Sequence, residues 1–172
     1  MIKVKDLRKS FEDLEVLKGV DTEFEKGKTN LIIGQSGSGK TVFLKCLLGL
    51  FVPDSGIIEY NGRAYQNFSK SEKRDISKQM GMVFQGGALF DSMTVEENVM
   101  FPLKMLSNMN LEQMRSRVEE VLNRVNLVNT NKKLPSEISG GMQKRVSIAR
   151  AIVNKPAFLF GDEPNSGLDP RT

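Results

Sequence analysis

Residues Gly34, Gln35, Ser36, Gly37, Ser38, Gly39, Lys40 and Thr41 fit the pattern G-x-x-x-x-G-K-[ST] without a substitution. They follow the apolar run Thr29 to Ile33, which reads as a strand, and precede a helix-like stretch from Val42 to Leu50. Glycines at both ends let backbone N–H groups converge on an anion, and the helix that follows adds its positive end. A triphosphate is the natural occupant. Lys40 would reach its β and γ phosphates, and the Thr41 hydroxyl would ligate Mg²⁺. The alternative is a plain glycine-rich turn, which the strand-then-helix setting disfavours.

Asp162 and Glu163 follow the apolar run Ala157 to Phe160, a segment of the kind buried on both faces of a parallel sheet. That places two carboxylates at the carboxyl end of a strand, where ligands of open α/β folds bind. Asp162 can hold Mg²⁺, directly or through water, and Glu163 can accept a proton from water attacking a γ phosphate. An isolated Asp-Glu is a common surface pair. The phosphate loop upstream and Pro164 after it favour the functional reading. Ser139-Gly140-Gly141 sits where a helix should begin, with Ser139 suited to the N-cap and backbone N–H groups accessible at the glycines. It reads as a second anion site, suited to a nucleotide held by a partner, or as an ordinary capped helix start.

The elements that position these residues can be read in order. Alternation at Ile2, Val4 and Leu7, then at Val16, Val20, Thr22 and Phe24, predicts antiparallel strands. A short strand follows from Gly56 to Gly62 after the turn Pro53-Asp54-Ser55-Gly56. Ser69 and Glu72 have capping-box spacing and start a polar helix, which ends before the strand Met80 to Phe84. Thr94 and Glu97 form another capping box. Leu111, Met114, Val118, Val121, Leu122 and Val125 recur on one helical face, so residues 94–153 read as helical, interrupted at Pro135.

The 172 residues, with 39% hydrophobic and 27% charged, have the length and composition of one soluble globular domain. The net charge of +4 is spread among acidic residues, as at 70–75, and calls for no nucleic-acid partner. Cys46, the single cysteine, lies among leucines and reads as a small buried apolar residue in a reducing compartment. The N-terminus has no signal-peptide core, and no apolar run approaches the roughly 18 residues of a spanning helix.

Taken together, these motifs resemble the nucleotide-binding subunits of ATP-binding cassette transporters, over essentially the whole chain. Residues 34–41 correspond to Walker A and Phe158 to Glu163 to Walker B with its catalytic glutamate. Ile138-Ser139-Gly140-Gly141-Met142 resembles the LSGGQ signature, departing at Ile138 and Met142 while keeping the Ser-Gly-Gly centre. The resemblance implies that Gln85 touches Mg²⁺ and the attacking water and senses a permease. It also implies that Asp169, in the loop Ser166-Gly167-Leu168-Asp169, helps connect two cassettes. Phe11 stands where the family places an aromatic ring against adenine; a core phenylalanine is the alternative.

The implied fold is α/β: a P-loop NTPase core over 1–93 and 154–172, with an N-terminal antiparallel β subdomain and a helical subdomain over 94–153. The implied ligands are ATP and Mg²⁺. The implied partners are a second copy of the cassette and an integral-membrane permease, which would hold the chain peripherally on the inner, cytoplasmic face of the cell membrane. A finer resemblance, carried by residues 86–99 and by Ile138 to Arg145, is to the cassettes of bacterial phospholipid transporters of the Mla and Mce-associated kind. Polar amino-acid importers share parts of both stretches. A soluble cassette acting without a membrane partner is the remaining class, though its usual coiled coil or duplicated cassette is not seen.

Family members continue past the Asp169 loop through another strand to a switch histidine, and this sequence contains no histidine. The resemblance implies that the further strand lies between those of Walker A and Walker B. The expectation is therefore an incomplete cassette with the C-terminal strands of its core missing, marginally stable and a poor ATPase by itself.

Overall fold

The computed structural model describes residues 1–163, which divide into one unit over Met1–Ser77 and a second beginning at Lys78. The first is built on a hairpin of β1 (Ile2–Phe11) and β2 (Leu14–Phe24), with β3 (Ser55–Tyr60) on the other edge of β1 and a short β4 (Arg63–Ala64) beyond it. All neighbours are antiparallel, as the alternation predicts. Ile2 and Val4 are buried two residues apart, but the next buried position is Leu7. A register shift between Val4 and Leu7, with Asp6 at φ 43°, supplies the extra residue that returns Leu7 to the inner face.

Helix α1 (Lys40–Leu47) buries Phe43, Leu44, Cys46 and Leu47. Phe43 lies 6.2 Å from the ring of Phe24, and the Tyr60 hydroxyl donates to the Leu47 carbonyl, so α1 is tied to both β2 and β3. Burial pushes the Cys46 thiol pKa up, which fits an inert apolar role. Helix α2 (Lys70–Lys78) begins at the predicted capping box: Glu72 N–H donates to Ser69 Oγ at 3.3 Å, and Ser69 N–H donates to Glu72 Oε2 at 2.9 Å.

The run Thr29 to Ile33 departs from its expected strand. It forms no ladder, and Leu31 and Ile33 are 81% and 85% exposed. An isolated extended segment has no partners for its backbone groups, and among the described residues no strand lies beside this one. In place of a neighbour there is an open cleft of about 350 Å³, walled by Leu17, Phe24, Leu31, Ile33 and Phe43 and reaching Lys40.

In the second unit β5 (Met80–Val83) pairs in parallel with β6 (Phe158–Gly161), in register from Met80 opposite Phe158 to Val83 opposite Gly161. The expectation that the segment around β6 is buried on both faces does not hold. Phe160 is buried but Leu159 is 56% exposed, because successive side chains alternate across this two-stranded ribbon and only one face is covered.

Helices α3 (Val95–Leu106), α4 (Leu111–Arg124) and α5 (Gly140–Ile152) make one core, with Val95, Val99, Val118, Val121, Leu122 and Val146 inaccessible to solvent. Thr94 and Glu97 form the predicted reciprocal cap, and Asn110 with Gln113 forms a second one at the start of α4. A 3₁₀ turn at Pro135–Glu137 marks the predicted break. Leu111, expected on the buried face, is 53% exposed because it occupies the first helical position, outside the packed turns. The methionines divide: Met100 is buried in the core, whereas Met105 and Met109 are exposed. Among the described residues no helix is long and apolar enough to cross a membrane.

Candidate nucleotide-binding site

In the first unit the phosphate loop winds directly into α1. Gly39 occupies the N-cap at φ 90°, no side chain caps the helix, and its first turn carries no acidic residue, so the positive end is left for an external anion. Ser38 N–H donates to the Gln35 carbonyl at 3.2 Å, closing the turn. The Lys40 ammonium donates to the carbonyls of Gly34 at 2.8 Å and Gln35 at 2.9 Å. Those bonds hold its charge over the loop whose N–H groups would face phosphate. Thr41 follows on the first turn of the helix.

Phe11 ends β1 and is 40% exposed. Its ring meets Phe51 edge-on, with centroids 5.4 Å apart, and the Lys9 ammonium lies 5.4 Å from its centroid. This is a supported surface ring rather than a core residue, able to offer a face to a planar base.

In the second unit the parallel pairing of β5 and β6 sends both chain tails out at the same end. Asp162 N–H donates to the Val83 carbonyl at 2.9 Å, continuing the ladder by one residue. Gln85, just beyond β5, donates from Nε2 to Glu163 Oε2 at 3.0 Å. Sequence proximity could not show this contact, which spans 78 positions. Asp162 is buried and Glu163 exposed, the latter at φ 47°, a backbone region that non-glycine residues rarely adopt and that recurs at functional sites.

Ser139 caps α5, accepting from Met142 N–H at 3.3 Å. A Cβ added at Gly140 or Gly141 would meet nothing within 4 Å, so the backbone at the helix start is open to an incoming group. Gln143 donates to the Pro135 carbonyl at 2.9 Å and fixes the preceding turn. Asp169 and the rest of the loop 166–169 lie outside the described residues.

Each unit offers oxygen of the kind a hard cation prefers: the Thr41 hydroxyl in the first, and the Gln85 and Asp162 side chains in the second. Among the described residues there is no group of three or more His, Cys, Asp or Glu that could cage a metal. Mg²⁺ is typically held by one or two carboxylates, water and the phosphates of its substrate, so the sparse set suits it. Two supporting residues escaped sequence reasoning. Asn98, wholly buried on α3, accepts from Phe90 N–H at 2.8 Å and donates to the Phe90, Met93 and Thr94 carbonyls. Arg150 on α5 donates to the carbonyls of Gly87 and Ala88. The available signal for Asn98 was a lone amide on the apolar face between Val95 and Val99; for Arg150 there was none.

Comparison with known proteins bears on this arrangement. The chain is 42% identical over 169 residues to a probable ribonucleotide transport ATP-binding protein, mkl, of Mycobacterium leprae, with 98% of this chain and 49% of that protein covered. It is 40% identical over 175 residues to a probable amino-acid ABC transporter ATP-binding protein of Haemophilus influenzae, covering 99% of this chain and 68% of that one. The chain thus spans about half to two thirds of the length of these relatives. Its structure matches a bacterial ABC transporter cassette solved as a dimer, with a TM-score of 0.91 and 32% identity over 99% of this chain and 77% of the other. The same cassette in a post-hydrolysis state bound to ADP and Pi matches with a TM-score of 0.89. The family model for ABC transporters matches residues 17–166, and the chain belongs to that family.

Proposed function

We propose that the chain is the ATP-binding subunit of an ABC transporter, binding and hydrolysing Mg-ATP to drive a separate membrane permease. The loop that winds from Gly34 into α1 carries this reading: a helix start with no side-chain cap and a lysine held over the loop complement a polyphosphate. In this reading Phe11 stacks on the base, residues 34–41 hold the phosphates, and Thr41, Asp162 and Gln85 hold the cation. When bound, Mg²⁺ would neutralise charge on the phosphates. Glu163 takes the proton from the attacking water, and the Gln85 amide, already bonded to that carboxylate, orients it.

The open start of α5 supports a dimer in which Ser139 and the N–H groups after it bind the γ phosphate held by a second copy, with Asp169 joining the two. The solved cassette with which the chain shares its fold is a dimer. A permease would hold the pair peripherally at the inner face of the membrane. For the cargo, residues 86–99 and 138–145 favour phospholipid. The 40% identity to the Haemophilus amino-acid protein favours a second reading, a polar amino-acid importer. Co-purification with the permease, followed by uptake or extraction assays with each cargo, separates the two.

The chemistry is tested at Glu163. In the full-length protein, Glu163→Gln keeps the shape but cannot act as a base, so Mg-ATP affinity should be unchanged while turnover falls by about 10²- to 10⁴-fold. Hydrolysis near the wild-type rate would remove Glu163 from the mechanism.

A further inference from the structure

The turn after Gln85 is costly to form. Gly86, Gly87 and Ala88 have φ of 78°, 80° and 47°, three successive left-handed residues of which the last has a side chain. The glycines adopt that region freely, but Ala88 persists there only where its surroundings over-determine it. The Arg150 guanidinium supplies two of those constraints, donating to the Gly87 carbonyl at 2.8 Å and to the Ala88 carbonyl at 2.9 Å, with its Cζ 5.8 Å from the centroid of the Phe90 ring. Burial lowers the arginine pKa, as expected of a cation drawn from water and compensated by fixed carbonyl dipoles. The turn also lies along α5: a Cβ on Gly87 would come within 3.6 Å of Ser147 Cβ and 3.9 Å of the Gln143 carbonyl. Gln143, Ser147 and Arg150 recur at helical spacing along the helix that Ser139 caps.

Building on the ATPase reading, we propose that Arg150 is a positioning residue: by clamping the carbonyls of Gly87 and Ala88 it docks the glutamine loop on α5 and so places the Gln85 amide against the Glu163 carboxylate. Asn98 holds the far end of the same loop at Phe90, so Arg150 and Asn98 fix it from two sides.

The test compares wild type, Arg150→Met, Arg150→Lys and the pair Arg150→Lys with Ala88→Gly. Two amides report on the loop: Gly87 N–H, bonded to the Phe84 carbonyl, and Phe90 N–H, bonded to Asn98. In Arg150→Met their hydrogen exchange should accelerate by about tenfold or more, while core amides such as Val99 and Val146 keep wild-type rates. Turnover should fall by about 10- to 100-fold with KM for ATP unchanged, since the phosphate loop is untouched. Arg150→Lys should show a smaller effect. Ala88→Gly, which relieves the left-handed cost, should recover part of the loss. If Arg150→Met does not fold, Arg150→Lys and its Ala88→Gly partner decide the matter by the same comparison. Unchanged exchange at Gly87 and Phe90, or acceleration spread equally through α3 and α5, would overturn the proposal. A full-length wild-type protein that hydrolyses no ATP would count against the ATPase reading, and the exchange data would still decide the role of Arg150.

Discussion

At Gly39 the backbone runs at φ 90°, and a methyl group there would stand 2.9 Å from Val16 Cγ1 and 3.3 Å from the Val16 carbonyl oxygen. The position thus requires glycine twice, once for the left-handed turn that starts α1 and once for the close approach of β2. Adopting that conformation with a side chain costs about 1–2 kcal/mol before the clash is counted. Gly39→Ala should therefore lower stability by at least that amount in denaturant titration. Because the same turn aims the N–H groups of the phosphate loop, it should also weaken Mg-ATP binding by about tenfold or more in calorimetry. A mutant with wild-type stability and affinity would show that the loop tolerates another geometry. Asp162 needs no such device, since the β5–β6 ladder alone carries it to the same end as Gln85, whereas Glu163, one residue beyond, is itself left-handed at φ 47°.

Several helix starts among the described residues are capped by side chains close in sequence, and that of α2 carries a marked pH dependence. Glu72 accepts from Ser69 N–H and from Arg63, and these bonds, the backbone one first, lower its carboxyl pKa from 4.5 to about 2. A depressed carboxyl pKa stabilises the folded state fully above the unfolded value and loses that contribution as pH falls toward the folded one. The start of α2 should therefore loosen between about pH 4.5 and 2, visible as faster amide exchange at Ser69 and Glu72. Glu72→Gln should abolish the pH dependence in that window, and an unchanged profile would refute the assignment. Such caps, at Ser69 and Thr94, were readable from sequence because their partners lie three positions away. The phosphate loop was readable because its eight residues are contiguous, and the carboxylates because they directly follow an apolar run, but the contact of Glu163 with Gln85, 78 positions away, was not. Thr29 to Ile33 was misread because a strand exists only by pairing, and Leu159 because burial on the second face requires a neighbouring layer. Arg150 was invisible because its carbonyl partner Ala88 is 62 positions away and nothing in its own neighbourhood marks it.

For the whole molecule, the proposed function treats the start of α5 and the phosphate loop as two anion sites in one chain and assigns them to different nucleotides. In the complete protein, Lys40→Ala and Ser139→Arg chains, each inactive alone, should regain hydrolysis when mixed, because a mixed dimer contains one intact composite site. Activity that rises in proportion to monomer concentration, with no dimer detected in ATP by sedimentation, would count against the composite site. Both expectations rest on nucleotide binding at residues 34–41, which a calorimetric titration of Mg-ATP into wild type and Lys40→Ala tests directly. The account predicts saturable one-to-one binding to the wild-type chain and loss of most of that affinity in Lys40→Ala, with both proteins giving the same thermal unfolding profile. Equal affinities in the two proteins would contradict it.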